Sequence, residues 1–252
     1  MTIALIDADL VAYRCAASCE KREKGELTAL DPVEVAIARA DTLIHDILYG
    51  TQADEYRAFL SGKDNFRYKI NPNYKANRRD MPKPEHLDAC REFLATEWKA
   101  SVTEGCEADD ALGINQTENT VICSLDKDLR MIPGKHYSWQ IEGTSVNGKK
   151  WVREASLTEV SPIDGLRTFY KQMLIGDISD NIMGVRGIGE VKAAKLIDHL
   201  TTEESMFGEV YKMYSDDTRF YMNADCLWVL QKEDTQYSKR NKDVPLQRRI
   251  RP

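Results

Sequence analysis

Three short β-favouring runs in the first 140 residues, at 2–6, 56–60 and 120–124, are separated by helical patterns and run into acids at or just past their ends. The helical patterns, at 33–48, 85–97 and 108–115, repeat apolar residues with a period near 3.6. Strands separated by helices predict a parallel sheet with helices on both faces, and in such sheets the ligand crevice lies beyond the carboxyl ends of the strands. The acids fall at those ends. Asp7 and Asp9 follow the first run, Ser61-Gly62-Lys63-Asp64 the second, and Asp126 and Asp128 the third. A fourth group, Glu107-Ala108-Asp109-Asp110, opens a helix after the turn-like Glu104-Gly105. Four such groups at corresponding places converge on one crevice.

Carboxylates packed together repel and resist desolvation, so a site of this kind needs cations to neutralise it. Oxygen ligands without His or Cys select hard ions, Mg²⁺ or Mn²⁺. Two such ions roughly 3.5 to 4 Å apart activate a water and stabilise the phosphate during in-line displacement, so phosphodiester hydrolysis needs no nucleophilic side chain.

A net charge of −6 argues at first against a nucleic-acid partner. Setting aside nine acids of the expected site (Asp7, Asp64, Glu107, Asp109, Asp110, Asp126, Asp128, Asp177, Asp180) from the 41 leaves 32, against 35 Lys and Arg. The remaining surface is mildly basic and compatible with DNA. Lys63, Arg67, Lys69, Lys75, Arg78 and Arg79 fall within 17 residues, interleaved with Phe66, Tyr68 and Tyr74. Cations for the backbone and rings for bases suit a single-stranded end. Composition alone equally allows a solvated basic loop.

From about residue 163 the pattern turns helical, with 163–175 followed by the glycine segment 184–189 and an amphipathic helix at 190–200. Glycines there let backbone amides approach a phosphate at a helix N-terminus. Residues 134–153 read as a hairpin turning at Asn147-Gly148. The chain is long enough for one large unit, or one plus an appendage, and its 42% apolar and 30% charged residues describe an ordinary globular protein. No apolar stretch approaches the roughly 18 residues of a membrane span. The amino terminus lacks a basic n-region, which predicts a protein that stays in the compartment where it is made. The six cysteines carry no CxxC pair and read as reduced, mostly core or half-buried thiols.

The motifs LIDAD at 5–9, NYKANR at 73–78, EGCEADDALG at 104–113, SLDKDL at 124–129 and GDISDNIMGVRGIGEVKAAKLI at 176–197 resemble, in order and over roughly residues 1 to 200, the 5′ nuclease or flap endonuclease superfamily. That family includes phage 5′-to-3′ exonucleases and the 5′ nuclease domain of bacterial DNA polymerase I. The resemblance implies a PIN-like three-layer α/β core over 1–160 with a mostly parallel sheet and a short arch at about 76–104. It implies a helix-three-turn-helix region with C-terminal helices and a basic tail over 161–252. It further implies two Mg²⁺ or Mn²⁺ ions. Asp7, Glu107 and Asp109 would hold the first, with Asp64 in the place of a missing ligand. Asp109, Asp126, Asp128 and Asp177 would hold the second, with Asp110 and Asp180 in support. Lys75 would polarise the scissile phosphate, Tyr74 stack on the terminal base, and Arg78 and Arg79 line the path of the 5′ strand. Gly184, Gly187, Gly189, Lys192 and Lys195 would contact DNA, and the carbonyls of Val185 and Ile188 would take K⁺. The implied substrate is DNA with a free 5′ end or flap, or an RNA·DNA hybrid, handled by a monomer in the cytoplasm of a bacterial or phage-infected cell.

The chain departs from the family pattern at one place. Where the family has an Asp straight after the strand, this chain has Leu60-Ser61-Gly62, with Asp64 two residues later. Only 28 residues separate Arg78 from Glu107, too few for a tall arch. His45, His86, His136 and His199 read as surface or capping residues, Trp98, Trp139, Trp151 and Trp228 as core, and Asp9 as the N-cap of a helix at 10–18. A PIN-type ribonuclease and a catalytically silent DNA-junction binder remain the alternatives.

Overall fold

The computed structural model describes residues 1–145 and 148–240. In chain order the elements are β1 (Ile3–Asp7), α1 (Ala8–Ser18), β2 (Glu20–Glu23), β3 (Glu26–Leu30), α2 (Val33–Thr51), β4 (Glu55–Leu60), α3 (Arg67–Ile70), α4 (Leu87–Thr96), β5 (Ser101–Val102), α5 (Ala108–Asn115) and β6 (Thr120–Cys123). They continue as β7 (Gly134–Ser138), β8 (Ile141–Thr144), β9 (Lys150–Arg153), β10 (Ser156–Val160), α6 (Pro162–Ile175), β11 (Gly176–Asp177), β12 (Ile182–Met183), α7 (Glu190–Ile197), α8 (Glu203–Tyr211), α9 (Asp217–Leu227) and α10 (Tyr237–Arg240). Two compact units result among the described residues: Met1–Lys63, Pro82–Lys127 and Gly134–Glu159 form one; Asp64–Met81, Asp128–Pro133 and 160–240 form the other. Residues 64–81, expected within the N-terminal core, thus belong to the second unit.

The first unit is built on a six-stranded sheet of order β10-β7-β6-β1-β4-β5, a PIN-like α/β arrangement. β1 pairs in parallel with β4 and with β6, β4 with β5, and β6 with β7. Ala4, Leu5 and Ile6 of β1 are buried, as expected of a central parallel strand covered on both faces. The chain steps from β1 to β4 on one side and to β6 on the other, so the strand order reverses at β1. The crevice at such a reversal is where α/β sheets bind ligands. Ala36, Ala40, Ile44 and Ile47 give α2 its buried stripe, and Cys90 and Leu94 seat α4 in the same core. The segment expected to arch contains α4, which packs on α1 and α2.

Several expectations are corrected here. The N-cap of α1 is Asp7, whose Oδ1 accepts the Leu10 N–H over 3.0 Å, because the helix begins two residues earlier than its apolar pattern suggests. Of the hairpin expected over 134–153, β7 joins the main sheet and only β8 and β9 pair as a ribbon; Asn147 of its turn lies outside the described residues, as do residues 241–252 of the basic end. His136 is buried in β7, whereas Trp151 is 44% exposed on the ribbon. A second ribbon, β2 with β3, turns at Lys24 and Gly25, both at positive φ, and exposes nearly every side chain. The described cysteines are free thiols, all buried except the half-buried Cys106.

The second unit is helical. Ser161, followed by Pro162, caps α6; Thr202 caps α8 and Asp216 caps α9. Phe169 of α6 packs against Trp228 and Tyr237 at ring separations of 5.0 and 4.9 Å, and Phe220 of α9 meets Phe207 of α8 at 5.5 Å.

Candidate active site and nucleic-acid interface

Of the acids expected to hold metal, Asp7, Glu107, Asp109 and Asp126 lie in the first unit and Asp64, Asp128 and Asp177 in the second. Asp7 ends the central strand, 4% exposed. Its Oδ2 accepts the Ser124 hydroxyl over 2.7 Å, and that hydroxyl accepts the Asp126 N–H over 3.0 Å. Ser124, just past β6, was missed by sequence reasoning; its place at the end of an apolar run, two residues before Asp126, was the available signal. Burial pushes the Asp7 carboxyl up to about 6, against the pull of the Ser124 and Leu10 donors, and the Asp126 charge adds a smaller rise.

Glu107 is the N-cap of α5 and forms a capping box with Asp110, whose Oδ2 accepts the Glu107 N–H over 3.0 Å. Asp109 stands half-buried in the same turn. The expected ligands of the first unit are thus all carboxylates, the set that suits a hard divalent ion, and the buried Asp7 gives such an ion a charge to neutralise. The donors are not gathered in advance. Among the described residues no three His, Cys, Asp or Glu groups stand where they could hold a metal ion.

In the second unit the motifs at 73–78 and 176–181, a hundred residues apart in sequence, are joined. Asp180 accepts the Tyr74 hydroxyl over 2.7 Å and Arg78 Nη2 over 2.9 Å, and Lys75 Nζ lies 3.8 Å away. The Lys75 N–H donates to the Asp180 carbonyl over 3.0 Å, Arg78 Nε to the Ser179 carbonyl over 2.7 Å, and Asn77 to the Ile178 carbonyl over 2.7 Å. Asp177 shapes this loop by accepting the Ser179 and Asp180 N–H groups. Asp128 begins a short 3₁₀ turn, and Asp64 is exposed at the start of the unit.

The aromatic-basic cluster is corrected in two places. Tyr74, expected to stack on a base, is 1% exposed, edge-on to Tyr68 at 5.7 Å, with its hydroxyl committed to Asp180. Arg67 is 2% exposed and donates to the carbonyls of Cys226 and Trp228 over 2.8 and 2.9 Å. Both are anchors. Tyr68, Lys69, Arg78 and Arg79 remain exposed.

The glycines of the 184–189 turn differ in purpose. A Cβ on Gly184 would lie 2.3 Å from the Ile175 backbone, so packing requires a glycine here. A Cβ added at Gly187, which sits at φ +80°, or at Gly189, the N-cap of α7, would meet nothing within 4 Å, so the backbone is open on that side. Lys192 and Lys195 are exposed on α7. The Val185 carbonyl accepts the Ile188 N–H over 3.1 Å. Arg219 Nη2 donates to the Gly184 carbonyl over 2.6 Å and to that of Met183 over 2.9 Å, and Lys192 Nζ to that of Gly187 over 2.8 Å. Two protein cations sit on carbonyls adjacent to those expected to take K⁺, so the residues present fit that ion poorly.

Residues 2–158 match the family described as 5′-3′ exonuclease, N-terminal resolvase-like domain. DNA polymerase I of Caldicellulosiruptor bescii is 31% identical over 160 residues, covering 56% of this chain and 18% of that protein. The exonuclease of Escherichia phage T7 is 31% identical over 145 residues, covering 53% of this chain and 44% of that protein. The chain thus spans about a fifth to a quarter of the length of such polymerases. The T5 D15 protein crystallised with metal ions shares the fold, with a TM-score of 0.59 and 15% identity over 92% of this chain and 89% of that one. Among the described residues no helix is long and apolar enough to cross a membrane. Because the domain match extends well past half of the sequence and takes in the central strands with their acidic ends, this chain belongs to the 5′-3′ exonuclease family.

Proposed function

We propose that the chain is a metal-dependent 5′-to-3′ exonuclease and structure-specific 5′ flap endonuclease acting on DNA in bacterial or phage replication and recombination. The observation that carries the reading is Asp7, a buried carboxylate at the strand-order reversal whose pKa is raised by burial and by Asp126. Such a group is costly in a folded protein unless a cation offsets it. Relatives named DNA polymerase I, flap endonuclease Xni and exonuclease support the same chemistry.

A bound divalent ion would supply an activated water and stabilise charge on the phosphate. In the first unit Asp7, Glu107, Asp109 and Asp126 would hold it. Ser124 orients Asp7, and Asp110 fixes the turn that presents Glu107. In the second unit Asp180 presents Lys75 and Arg78, whose cations would take up phosphate charge. The open backbone at Gly187 and Gly189 would admit a DNA phosphate to the amides at the start of α7, with Lys192, Lys195 and Arg79 adding sequence-independent attraction.

A 5′-labelled flap DNA incubated in Mg²⁺, with product lengths read on a gel, tests the proposal. Short labelled products from DNA, with single-stranded RNA left intact, are expected. Cleavage of the RNA instead would favour a PIN-type ribonuclease, and tight DNA binding without products a silent junction binder.

A further inference from the structure

The departure at Gly62 has a steric cause in the first unit. A Cβ there would lie 2.1 Å from the Thr103 carbonyl oxygen, a backbone atom that cannot swing aside. The Gly62 N–H donates to Thr103 Oγ1 over 3.3 Å, which holds the two segments at this spacing. No side chain, and so no carboxylate, can stand at position 62 without moving the backbone.

What stands beside it is a polar relay. Asp9, in the first turn of α1, accepts the Ser61 N–H at Oδ2 over 2.7 Å and Arg91 Nη1 at Oδ1. Arg91, on α4, also donates through Nη2 to the Ser61 carbonyl over 2.6 Å. The Ser61 hydroxyl accepts the N–H of Ala108, the first residue of α5, over 2.9 Å. That N–H is one of the donors a helix start leaves without an intrahelical partner. Four elements, α1, the end of β4, α4 and α5, therefore meet at one serine. Both Asp9 oxygens are engaged, and its charge faces a fixed guanidinium.

The geometry points to Arg91 and Asp9, acting through Ser61, as positioning residues that hold the first turn of α5 and hence set where Glu107, Asp109 and Asp110 are presented. This inference rests on the metal-ion reading above for its consequence, but not for its geometry. The planar fork of Arg91 grips a carboxylate and a carbonyl at once, which a lysine cannot reproduce. Groups that orient metal ligands without touching the ion commonly change affinity by about tenfold or more when removed.

The test compares the full chain with Ser61→Ala, which removes only the acceptor for Ala108; Arg91→Gln, which removes the fork; and Ser61→Thr, which keeps the hydroxyl. Amide hydrogen exchange is followed at residues 108–112 in the metal-free protein, and Mn²⁺ binding by titration calorimetry. Ser61→Ala and Arg91→Gln should each speed exchange in this turn by about tenfold, leaving β1 and β6 protected, and weaken Mn²⁺ binding by about tenfold. Ser61→Thr should behave as the parent. Unchanged exchange in Ser61→Ala, or acceleration spread evenly through the unit, would overturn the proposal. A parent that takes up no Mn²⁺ would sink the functional reading alone, because the exchange measurement still decides the positioning claim.

Discussion

Ser124 donates its hydroxyl proton to Asp7 Oδ2 over 2.7 Å while accepting the N–H of Asp126 over 3.0 Å, so one side chain ties the central acid to its like-charged neighbour. Removing the donor removes a bond that favours the ionised form of Asp7. Ser124→Ala should therefore raise the pH at which Mn²⁺ binding reaches half its plateau, by about one unit. Calorimetric titrations between pH 5 and 8 on parent and variant read this shift.

The raised pKa of Asp7 also predicts a stability effect with a definite sign. The folded carboxyl titrates near 6 and the unfolded one at 3.8, so between those values the native state holds the extra proton. Stability of the metal-free protein should fall as pH rises through this window, then stop changing on this group's account. Asp7→Asn, which keeps the Leu10 bond through Oδ1 and reverses the other, its Nδ2 donating to the Ser124 hydroxyl oxygen, should lack that slope. At pH 7 it should be more stable than the metal-free parent by on the order of 2 kcal/mol, read by urea unfolding in EDTA.

Restoring the family's acid at position 62 should harm the protein. The Cβ of Gly62→Asp would meet the Thr103 carbonyl at 2.1 Å, so the backbone must move. A stability loss of about 1 to 3 kcal/mol is expected, with no gain in cleavage rate. Thermal unfolding alongside the flap assay reads both quantities.

Tyr74→Phe separates two roles for this ring. A phenylalanine would stack on a base as well as tyrosine does, but it cannot bond to Asp180. Burial of the ring predicts loss of about 1 kcal/mol of stability and a several-fold slower cleavage, as Lys75 and Arg78 lose a fixed partner. Stability and rate equal to the parent's would restore the stacking role.

Much of the sheet was legible, and the reasons are local. β1 and β6 lie within one residue of expectation because each is an apolar run closed by a turn into acids. α5 matches its expected bounds because Glu107 and Asp110 form a capping box readable in sequence. The β2 and β3 ribbon was not legible, since strands exposed on both faces carry no apolar alternation. Nor were the long-range polar links inside each unit. Ser124 with Asp7, Arg91 with Asp9, and Tyr74 with Asp180 join polar residues 82 to 117 positions apart. Arg67 and Tyr74 misled for the same reason, because a basic or aromatic residue in a loop looks like a surface ligand until its distant partner is known.

The cations around the glycine turn predict indifference to potassium. With Arg219 on the carbonyls of Met183 and Gly184 and Lys192 on that of Gly187, exchanging K⁺ for Na⁺ at constant ionic strength should change duplex binding less than twofold. Fluorescence anisotropy in Ca²⁺ measures it, and a tenfold loss in Na⁺ would reinstate the ion.

The central claim is that carboxylates at the ends of β1 and β6 hold the ions that cut DNA. It is tested most directly by the cleavage rate of Asp126→Asn on a 5′-labelled flap in Mg²⁺. Loss of a ligand should remove several kcal/mol of transition-state stabilisation, slowing the reaction by about a hundredfold or more while DNA binding persists. A variant that cleaves at the parent's rate would contradict it.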